Sequence, residues 1–438
     1  MPPGAVPASA EVHRRLDKFL RQLTHSFFRQ LKDFFRFTPA PGQWRTALRT
    51  SLVMAASVLT ITAVAGMDVG PMALFGSLLA LWNTGRPLRS RLITFAVVGL
   101  VFTGSMALGV LVAPVPWLIV PTITAVVLIS VLTYYAFVIS PGPGPLNLFF
   151  ACALGTYLGG HTDKGWEIVA VTAASCTLTS LLSLSDLVRR PRGPEETAVS
   201  SAHAAVEGYL GHPSNGGPPA GENELRALRD GASTAVHRAW ATLHAAHGST
   251  ARSAVHRRLE TRLLETEERL AARLVADHFP GRPAAAHAVR EQAVVLGRPP
   301  ARYLLRHALS RHSRARLTAV RNALAAGIAA LAAQLTSIGH PYWAVLSSTV
   351  VLHAGADRGS TTRRAVHRLL GTCAGVLVVA GVYALHPGRP LELAIMLIGV
   401  YGMNLLLVRQ YSLAVVCVTA MAMMANTTTS PGLSGPGC

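Results

Sequence analysis

The chain has 438 residues, and its 40 Lys and Arg outnumber its 21 Asp and Glu to give a formal net charge of +19. Charged residues make up 14% of the chain, against roughly 25% in an average soluble protein. Residues 92–162 contain no Asp, Glu, Lys or Arg, and a charge at the bilayer centre is costly. These features disfavour a soluble enzyme. The basic residues flank apolar segments and no zinc-finger spacing occurs, so nucleic acid is not expected as a partner.

Residues 1–45 are predicted to be a basic amphipathic segment on the cytoplasmic face. Within residues 11–37, apolar side chains recur at three- and four-residue spacing, and Arg and Lys occupy much of the remainder. The apolar positions are Leu16, Phe19, Leu20, Leu23, Phe27, Leu31, Phe34 and Phe35. A helix of this kind usually lies on an anionic membrane surface. Packing against a central cytoplasmic domain is the alternative.

Residues 46–188 are predicted to be a first transmembrane block, because six apolar segments follow one another there. These segments are residues 46–66, 69–84, 91–112, 116–138, 146–160 and 166–185. Apart from an uncharged proline-rich turn, basic turns alternate with turns that are poor in Arg and Lys. The positive-inside rule therefore places both ends of this block in the cytoplasm.

Residues 189–316 differ in composition from both flanking regions. They are rich in Arg, Glu, Ala and His and lack a long apolar run. A helical stripe of apolar positions is nevertheless present, formed by Val255, Leu259, Leu263, Leu270, Leu274 and His278. This pattern predicts a cytoplasmic helical domain, either a small bundle or a coiled-coil hairpin.

Residues 317–425 are predicted to be a second transmembrane block with five apolar segments. These are residues 318–337, 341–355, 369–386, 391–408 and 411–425. The block is one span shorter than the first, so we expect either an eleven-span protein or a truncated chain. Residues 426–438 are rich in Thr, Ser, Pro and Gly and are predicted to be a disordered tail.

The two blocks resemble each other, which indicates an internal repeat. Residues 46–49 correspond in kind to residues 318–321, and each stretch ends in Arg. Arg91 precedes Gly99 by eight residues, as Arg363 precedes Gly371. The predicted fold is thus an all-α integral membrane protein, with two repeated helical blocks of about six and five spans separated by a cytoplasmic helical domain. Such repeats would place a transport pathway between the halves.

The second block also carries a recognisable motif. An aromatic-rich helix start at residues 339–346 is followed by a basic loop and then by a helix with Arg, Gly and Thr at fixed positions. The motif positions are Arg364, Arg368, Leu369, Gly371, Thr372 and Gly375. The motif resembles the fusaric acid resistance and aromatic acid exporter family of bacterial inner-membrane proteins. The resemblance implies efflux of aromatic or other organic carboxylic acids. The first block lacks the equivalent aromatic pair.

Arginines near the span ends are the first candidates for binding such a substrate, because an organic anion needs positive charge to replace its water. Arg364 and Arg368 lie one helical turn apart in the motif helix, and Arg49 and Arg321 lie near the ends of the first span of each block. The competing interpretation is that these arginines only anchor the topology.

Aromatic and imidazole side chains are the second group of candidates. Tyr342, Trp343 and Trp82 could stack on an aromatic ring, and His340 begins a span and could titrate near neutral pH. The competing interpretation for the three aromatic residues is an interfacial belt.

The sequence predicts no cofactor, metal or ATP-binding site. His237, His244 and His247 share a helical face but lack a completing Cys or acidic ligand, and no P-loop motif is present. No Asp or Glu lies at the centre of a predicted span, so Asp68 and His340 are the only apparent candidates for ion coupling.

Together these features predict a multi-pass exporter of organic acids in the bacterial plasma membrane and not an enzyme. The expected partners are a small organic anion and the lipid bilayer, and a homo-oligomer is left open. Two alternatives are an anion channel and a non-transporting scaffold that recruits partners through residues 189–316.

Overall fold

The structure is a computed structural model that describes residues 43–82, 85–137, 144–212, 219–246, 253–278, 300–336, 341–353 and 358–427. All regular secondary structure in these ranges is helical, so the predicted all-α class is confirmed there. The predicted amphipathic helix at residues 11–37 lies outside the described residues, and so does the predicted tail from residue 428 onward.

The region predicted to be the first transmembrane block contains six helices. They are α1 (Gln43–Ala65), α2 (Ala73–Ser77), α3 (Leu88–Val112), α4 (Pro116–Ala136), α5 (Leu146–His161) and α6 (Gly165–Arg189). The short α2 continues at both ends into 3-10 turns, Gly70–Met72 and Leu78–Leu81, and we call the whole of Gly70–Leu81 the broken helix. Each of the six predicted apolar segments coincides with one of these elements.

The remaining helices form a middle group and a second membrane group. The middle helices are α7 (Gly193–Leu210), α8 (Pro219–Ala246), α9 (Ala254–His278) and α10 (Ala301–Ala308). The helices of the second block are α11 (Arg314–Leu335), α12 (Pro341–His353), α13 (Arg358–Ala384), α14 (Arg389–Arg409) and α15 (Tyr411–Thr427). All five predicted apolar segments of this block coincide with helices.

Seven helices among the described residues are long and apolar enough to cross a membrane, since a span needs roughly 20 residues. They are α1, α3, α4, α6, α11, α13 and α14. The broken helix, α5, α12 and α15 are shorter. The chain is therefore a multi-pass membrane protein, and its spans are mixed with short helices packed inside the bundle.

The broken helix is buried almost completely. Pro71 begins its first turn without a backbone N–H to donate, and Gly70 and Gly76 press directly against α1 and α6. The Ser175 hydroxyl of α6 donates a hydrogen bond to the Ala73 carbonyl at 2.6 Å. Irregular backbone is tolerated at membrane depth only where protein covers it, and α1 and α6 provide that cover.

Close approach between helices is achieved at small residues. On the contact between α3 and α5, a Cβ at Gly109 would overlap the Cys152 carbonyl, and a Cβ at Gly155 would overlap the Met106 carbonyl. On the contact between α13 and α15, Gly371 lies against Ser412. Membrane helices associate through such small residues because lipid gives no hydrophobic force between them.

The two blocks meet through reciprocal helix pairs. α4 of the first block packs against α11, and α14 of the second block packs against α1. At the α14 contact, the Asn404 amide donates to the Ser51 hydroxyl at 3.0 Å in a buried position. At the α11 contact, the Gln334 amide donates to the Pro116 carbonyl at 3.1 Å.

The bundle has two distinct ends. One carries Arg49, Arg91 and Arg321, and we call it the arginine end. At the other, which we call the Asp68 end, Arg389 donates to Asp68 at 2.7 Å and Lys164 lies 3.5 Å from the same carboxylate. The hydrogen bond from Arg389, followed by the charge of Lys164, lowers the pKa of Asp68.

Helices α7, α8 and α9 pack around a separate apolar core, and we call them the three-helix unit. Its buried residues are Val199, Ala202, Val206, Tyr209, Ala232, Val236, Ala239, Leu243, Leu263 and Leu270. The unit follows the end of α6 directly, and α8 also contacts α3. It therefore lies at the arginine end of the bundle.

Candidate functional site

A cavity of about 280 Å³ opens at the arginine end of the first block. It is lined by Arg45, Thr46, Arg49, Thr50, Val53, Ala80, Trp82, Arg91, Phe95 and Ser183. These residues come from α1, the broken helix, α3 and α6. Its volume lies just below the roughly 300–1,000 Å³ of small-molecule sites, which combine apolar walls with a few polar groups.

Arg91 is the most deeply placed charge in this cavity. Only 4% of the residue is exposed, because it lies in the first turn of α3 against the end of α6. Its Nη1 donates to the Ser183 carbonyl at 3.2 Å and to the Asp186 Oδ1 at 3.0 Å. Its Nε is also buried but has no hydrogen-bond partner. A buried guanidinium with an unused donor is costly unless something occupies it.

Asp186 is the acidic partner of this site. It lies in the last turn of α6 and forms ion pairs with both Arg49 and Arg91. Arg49 reaches it from α1, where its side chain is 56% exposed. Arg45 also lines the cavity, so three arginines stand against this one carboxylate and the site keeps a net positive charge.

Trp82 forms an apolar wall of the cavity. It follows the final 3-10 turn of the broken helix, and only 2% of it is exposed. Because that helix is held between α1 and α6, the indole is fixed beside the arginines instead of lying at a lipid interface. This burial disfavours the interfacial-belt interpretation of Trp82, and its role in stacking on an aromatic substrate stays a prediction.

A second arginine is buried in the other block. Arg368 on α13 is 6% exposed, and its Nε and Nη2 are buried without hydrogen-bond partners. The neighbouring His367 hydrogen-bonds with Ser412 at the start of α15, with 3.2 Å between the Nδ1 and Oγ atoms. Arg364, one turn earlier on α13, is exposed. The motif therefore contains one buried arginine and one exposed arginine.

The other predicted site residues are not brought into the cavity by the described structure. Arg321 is exposed and donates to the Leu352 carbonyl at 2.6 Å, which ties α11 to the end of α12. His340 lies outside the described residues. Tyr342 and Trp343 lie in the first turn of α12, but their side chains are outside the described part.

Sequence reasoning does not select Arg91, which lines the cavity, or Asp186, which pairs with it. Arg91 lies in a basic turn, where the positive-inside rule already accounts for it, and Asp186 lies one residue beyond the predicted sixth span. A signal was available, because a lone Asp at the end of an apolar helix needs a cationic partner. The sequence does not tell which arginine provides it.

No group of His, Cys, Asp and Glu in the described ranges could hold a metal ion. His244 stacks on Trp240 and hydrogen-bonds with its carbonyl at 2.7 Å, which is a local structural role. The residues that carry chemistry at the arginine end are thus guanidinium groups, one carboxylate and aromatic rings.

Comparison with known proteins matches the C-terminal part of the chain. Residues 328–436 match a family model described as fusaric acid resistance protein-like. No curated protein and no solved structure matches the chain. The resemblance read from the motif at residues 364–375 is therefore confirmed, and the matched region contains all of α12, α13, α14 and α15. The match gives this part of the chain a likeness to fusaric acid resistance proteins, and the seven apolar helices indicate a multi-pass membrane protein.

Proposed function

We propose that this membrane protein exports small organic acids, with aromatic carboxylates as the preferred class, and that the cavity at the arginine end binds them. One observation carries the proposal. Arg91 is buried with an unused Nε donor in a cavity that Arg49 and Trp82 also line. A carboxylate would supply the missing acceptor, and the ring attached to it would lie on the apolar wall.

The chemistry of these side chains suits a carboxylate. A guanidinium presents its N–H donors in a planar fork that matches the two oxygens of a carboxylate. Phe95 and Trp82 provide flat apolar surface for a ring, and Arg residues also interact with aromatic faces. Removing such a substrate from water is costly, and the net positive charge of the cavity offsets part of that cost.

We further propose that the two blocks are structural repeats and that the pathway runs between them. The reciprocal packing of the helices supports this proposal. The fourth helix of each block packs against the first helix of the other block: α4 packs against α11, and α14 packs against α1. The broken helix counts as the second element of the first block in this correspondence. Arg368 would then give the second block its own buried cation, although it precedes Gly371 by three residues whereas Arg91 precedes Gly99 by eight.

The arginine end is proposed to face the cytoplasm of a bacterial plasma membrane, because Arg-rich loops stay on that side. Residues 189–316 would then be cytoplasmic, with residues 46–188 and 317–425 as the membrane blocks. A cysteine at exposed position Asp230 should resist a membrane-impermeant maleimide in intact cells, whereas one at Asp163 should react. The reverse pattern would contradict this orientation.

Flux measurements in vesicles test the proposed function. Proteoliposomes containing the full chain should move labelled 4-hydroxybenzoate faster than protein-free vesicles. Arg91→Gln should reduce the initial rate at least tenfold, because it removes both the buried charge and the unused donor. Arg89→Gln is the matched control, since Arg89 lies on the same helix, carries the same charge and is exposed.

Two outcomes would contradict the proposal. Wild-type flux equal to that of protein-free vesicles would remove the exporter hypothesis, and equal losses in both variants would remove the cavity as the binding site. Single-channel currents in a planar bilayer would instead favour the anion-channel alternative.

A further inference from the structure

We infer that Asp186 is an internal competitor for the substrate carboxylate: it occupies Arg49 and Arg91 in the empty site and must be displaced when an organic acid binds. This inference rests on the proposed function and adds a specificity-determining residue to it. In this role Asp186 would set the affinity of the site for carboxylates and help a bound acid to leave.

The geometry shows that Asp186 already does what a substrate carboxylate would do. Its two oxygens accept from Arg91 Nη1 at 3.0 and 3.3 Å, and the same carboxylate pairs with Arg49. One carboxylate thus bridges two guanidinium groups from different helices. No acidic side chain lines the cavity itself. Asp186 lies three residues beyond the lining residue Ser183 on α6, and it is the carboxylate that pairs with Arg49 and Arg91 among the described residues.

The arginines are only partly committed to Asp186. All the hydrogen bonds from Arg91 to Ser183 and Asp186 leave from Nη1, while Nε stays buried and unpaired. A carboxylate that reached Nε, after the side chains covering this buried atom had moved, would contact a donor that Asp186 does not use. Arg49 is more than half exposed, so it can exchange one carboxylate for the other without a rearrangement of the core.

The position of Asp186 also permits displacement. It lies in the last turn of α6, and its side chain is 26% exposed, so the released carboxylate would find water. A tethered competitor acts at an effective concentration that can reach roughly the millimolar range. If the arginines bind a carboxylate with an intrinsic Kd of roughly 0.1 mM, Asp186 at this effective concentration would weaken the binding of a free carboxylate about tenfold.

Benzoate binding to the purified full chain tests the inference. Asp186→Asn keeps the shape of the side chain but removes the competing charge, so benzoate should bind about tenfold more tightly than to the wild type. Asp186→Glu keeps the charge and should stay within threefold of the wild-type Kd. Glu196→Gln is the matched control for net charge, because Glu196 is exposed in the first turn of α7, close in sequence to the end of α6, and its removal should not change benzoate affinity.

A second measurement uses the wild-type protein and therefore tests the inference even if Asp186→Asn does not fold. In the wild-type protein with ¹³C-labelled aspartate, benzoate should shift an aspartate carboxylate stretch in the difference infrared spectrum as Asp186 leaves the arginines. An unchanged stretch, or equal or weaker benzoate binding to a folded Asp186→Asn protein, would overturn the inference. If wild-type vesicles still transport 4-hydroxybenzoate in that case, the proposed function stands and only the role of Asp186 is rejected.

Discussion

Arg364 and Arg368 illustrate how neighbouring residues of one motif receive different environments. Both lie in the first half of α13 at a spacing of one helical turn, yet Arg368 is buried and Arg364 is exposed. Buried guanidinium groups with unused donors are either structural weak points or ligand contacts. Arg91 and Arg368 share this property, and they lie in different blocks.

The two arginines of the motif should therefore differ in their effect on transport. Arg368→Gln should lower the rate of 4-hydroxybenzoate flux tenfold or more, because the protein loses a buried positive charge that would bind the substrate carboxylate. Arg364→Gln should cost no more than about threefold, since an exposed charge is screened by salt. Flux in proteoliposomes at equal protein content measures both. Equal losses would indicate that local positive charge matters and burial does not.

At the level of helices, packing depends on a few positions where no side chain fits. The contact between α3 and α5 passes through Gly109, where the backbone of α5 occupies the place of a Cβ. Gly104, on the same helix, has open space around it. Glycine is thus required for close packing at position 109 but not at position 104.

Alanine at these two glycines should separate the two cases. Gly109→Ala should destabilise the protein by about 1–3 kcal/mol, because overpacking forces the helices apart. Gly104→Ala should be neutral or slightly stabilising, because Ala favours a helix over Gly. Unfolding in a denaturing detergent titration gives both values. A stable Gly109→Ala protein would contradict the close approach of α3 and α5.

The three-helix unit contains a buried tyrosine that makes its stability depend on pH. The Tyr209 hydroxyl donates to Asp277 at 2.6 Å. Burial first, and then the hydrogen bond to Asp277, raises the pKa of Tyr209 above its ordinary value of 10.0. The folded state therefore holds the phenol proton at a pH where the unfolded state loses it. The stabilisation is complete below pH 10 and declines as pH rises towards the raised pKa.

Tyr209→Phe should remove this dependence. The variant should lose about 1 kcal/mol near neutral pH, the size of one net hydrogen bond, and should show a flatter stability profile above pH 10. Urea unfolding can be followed through Trp240, whose indole donates to Glu267 within the unit at 2.8 Å, in a chain whose other tryptophans are Phe. Parallel profiles for the two proteins would show that Tyr209 does not titrate as described.

Considered as a whole, the molecule is held together by contacts between its blocks. Asn404 with Ser51 and Gln334 with Pro116 join residues that are far apart in sequence. At the Asp68 end, Arg389 joins the second block to the first. These contacts bring the two buried arginines into one assembly, which the proposed pathway requires.

A disulfide between the blocks tests this arrangement. A Cβ at Gly327 would lie 3.8 Å from the Thr124 Cβ, and bonded cysteines have Cβ atoms about 3.8 Å apart. In a chain whose native cysteines are replaced, Thr124→Cys with Gly327→Cys should form an intramolecular disulfide under mild oxidation. Thr124→Cys with Gly104→Cys serves as the control and should not. Cross-links only between chains would contradict the packing of α4 against α11.

Local patterns in the sequence were sufficient to predict the helices of this protein. Apolar runs specify a membrane helix because the bilayer acts on each segment separately, so all eleven predicted segments coincide with helical elements. The stripe at residues 255–274 likewise predicted α9. The motif at residues 364–375 indicated the family for the same reason, since its residues are adjacent in the chain.

The cavity could not be predicted in this way, because its residues come from four separate elements. The sequence makes Arg49 a candidate by its place at a span end and Trp82 one by its aromatic ring, but nothing local joins either residue to Arg91 or Asp186. Burial decides which arginine keeps an unused donor, and burial depends on how α1, α3, α6 and the broken helix pack. Only the tertiary packing therefore brings Arg91 and Asp186 together. Ion pairs form between residues that are close in space, and such pairs produce no periodic pattern in the sequence.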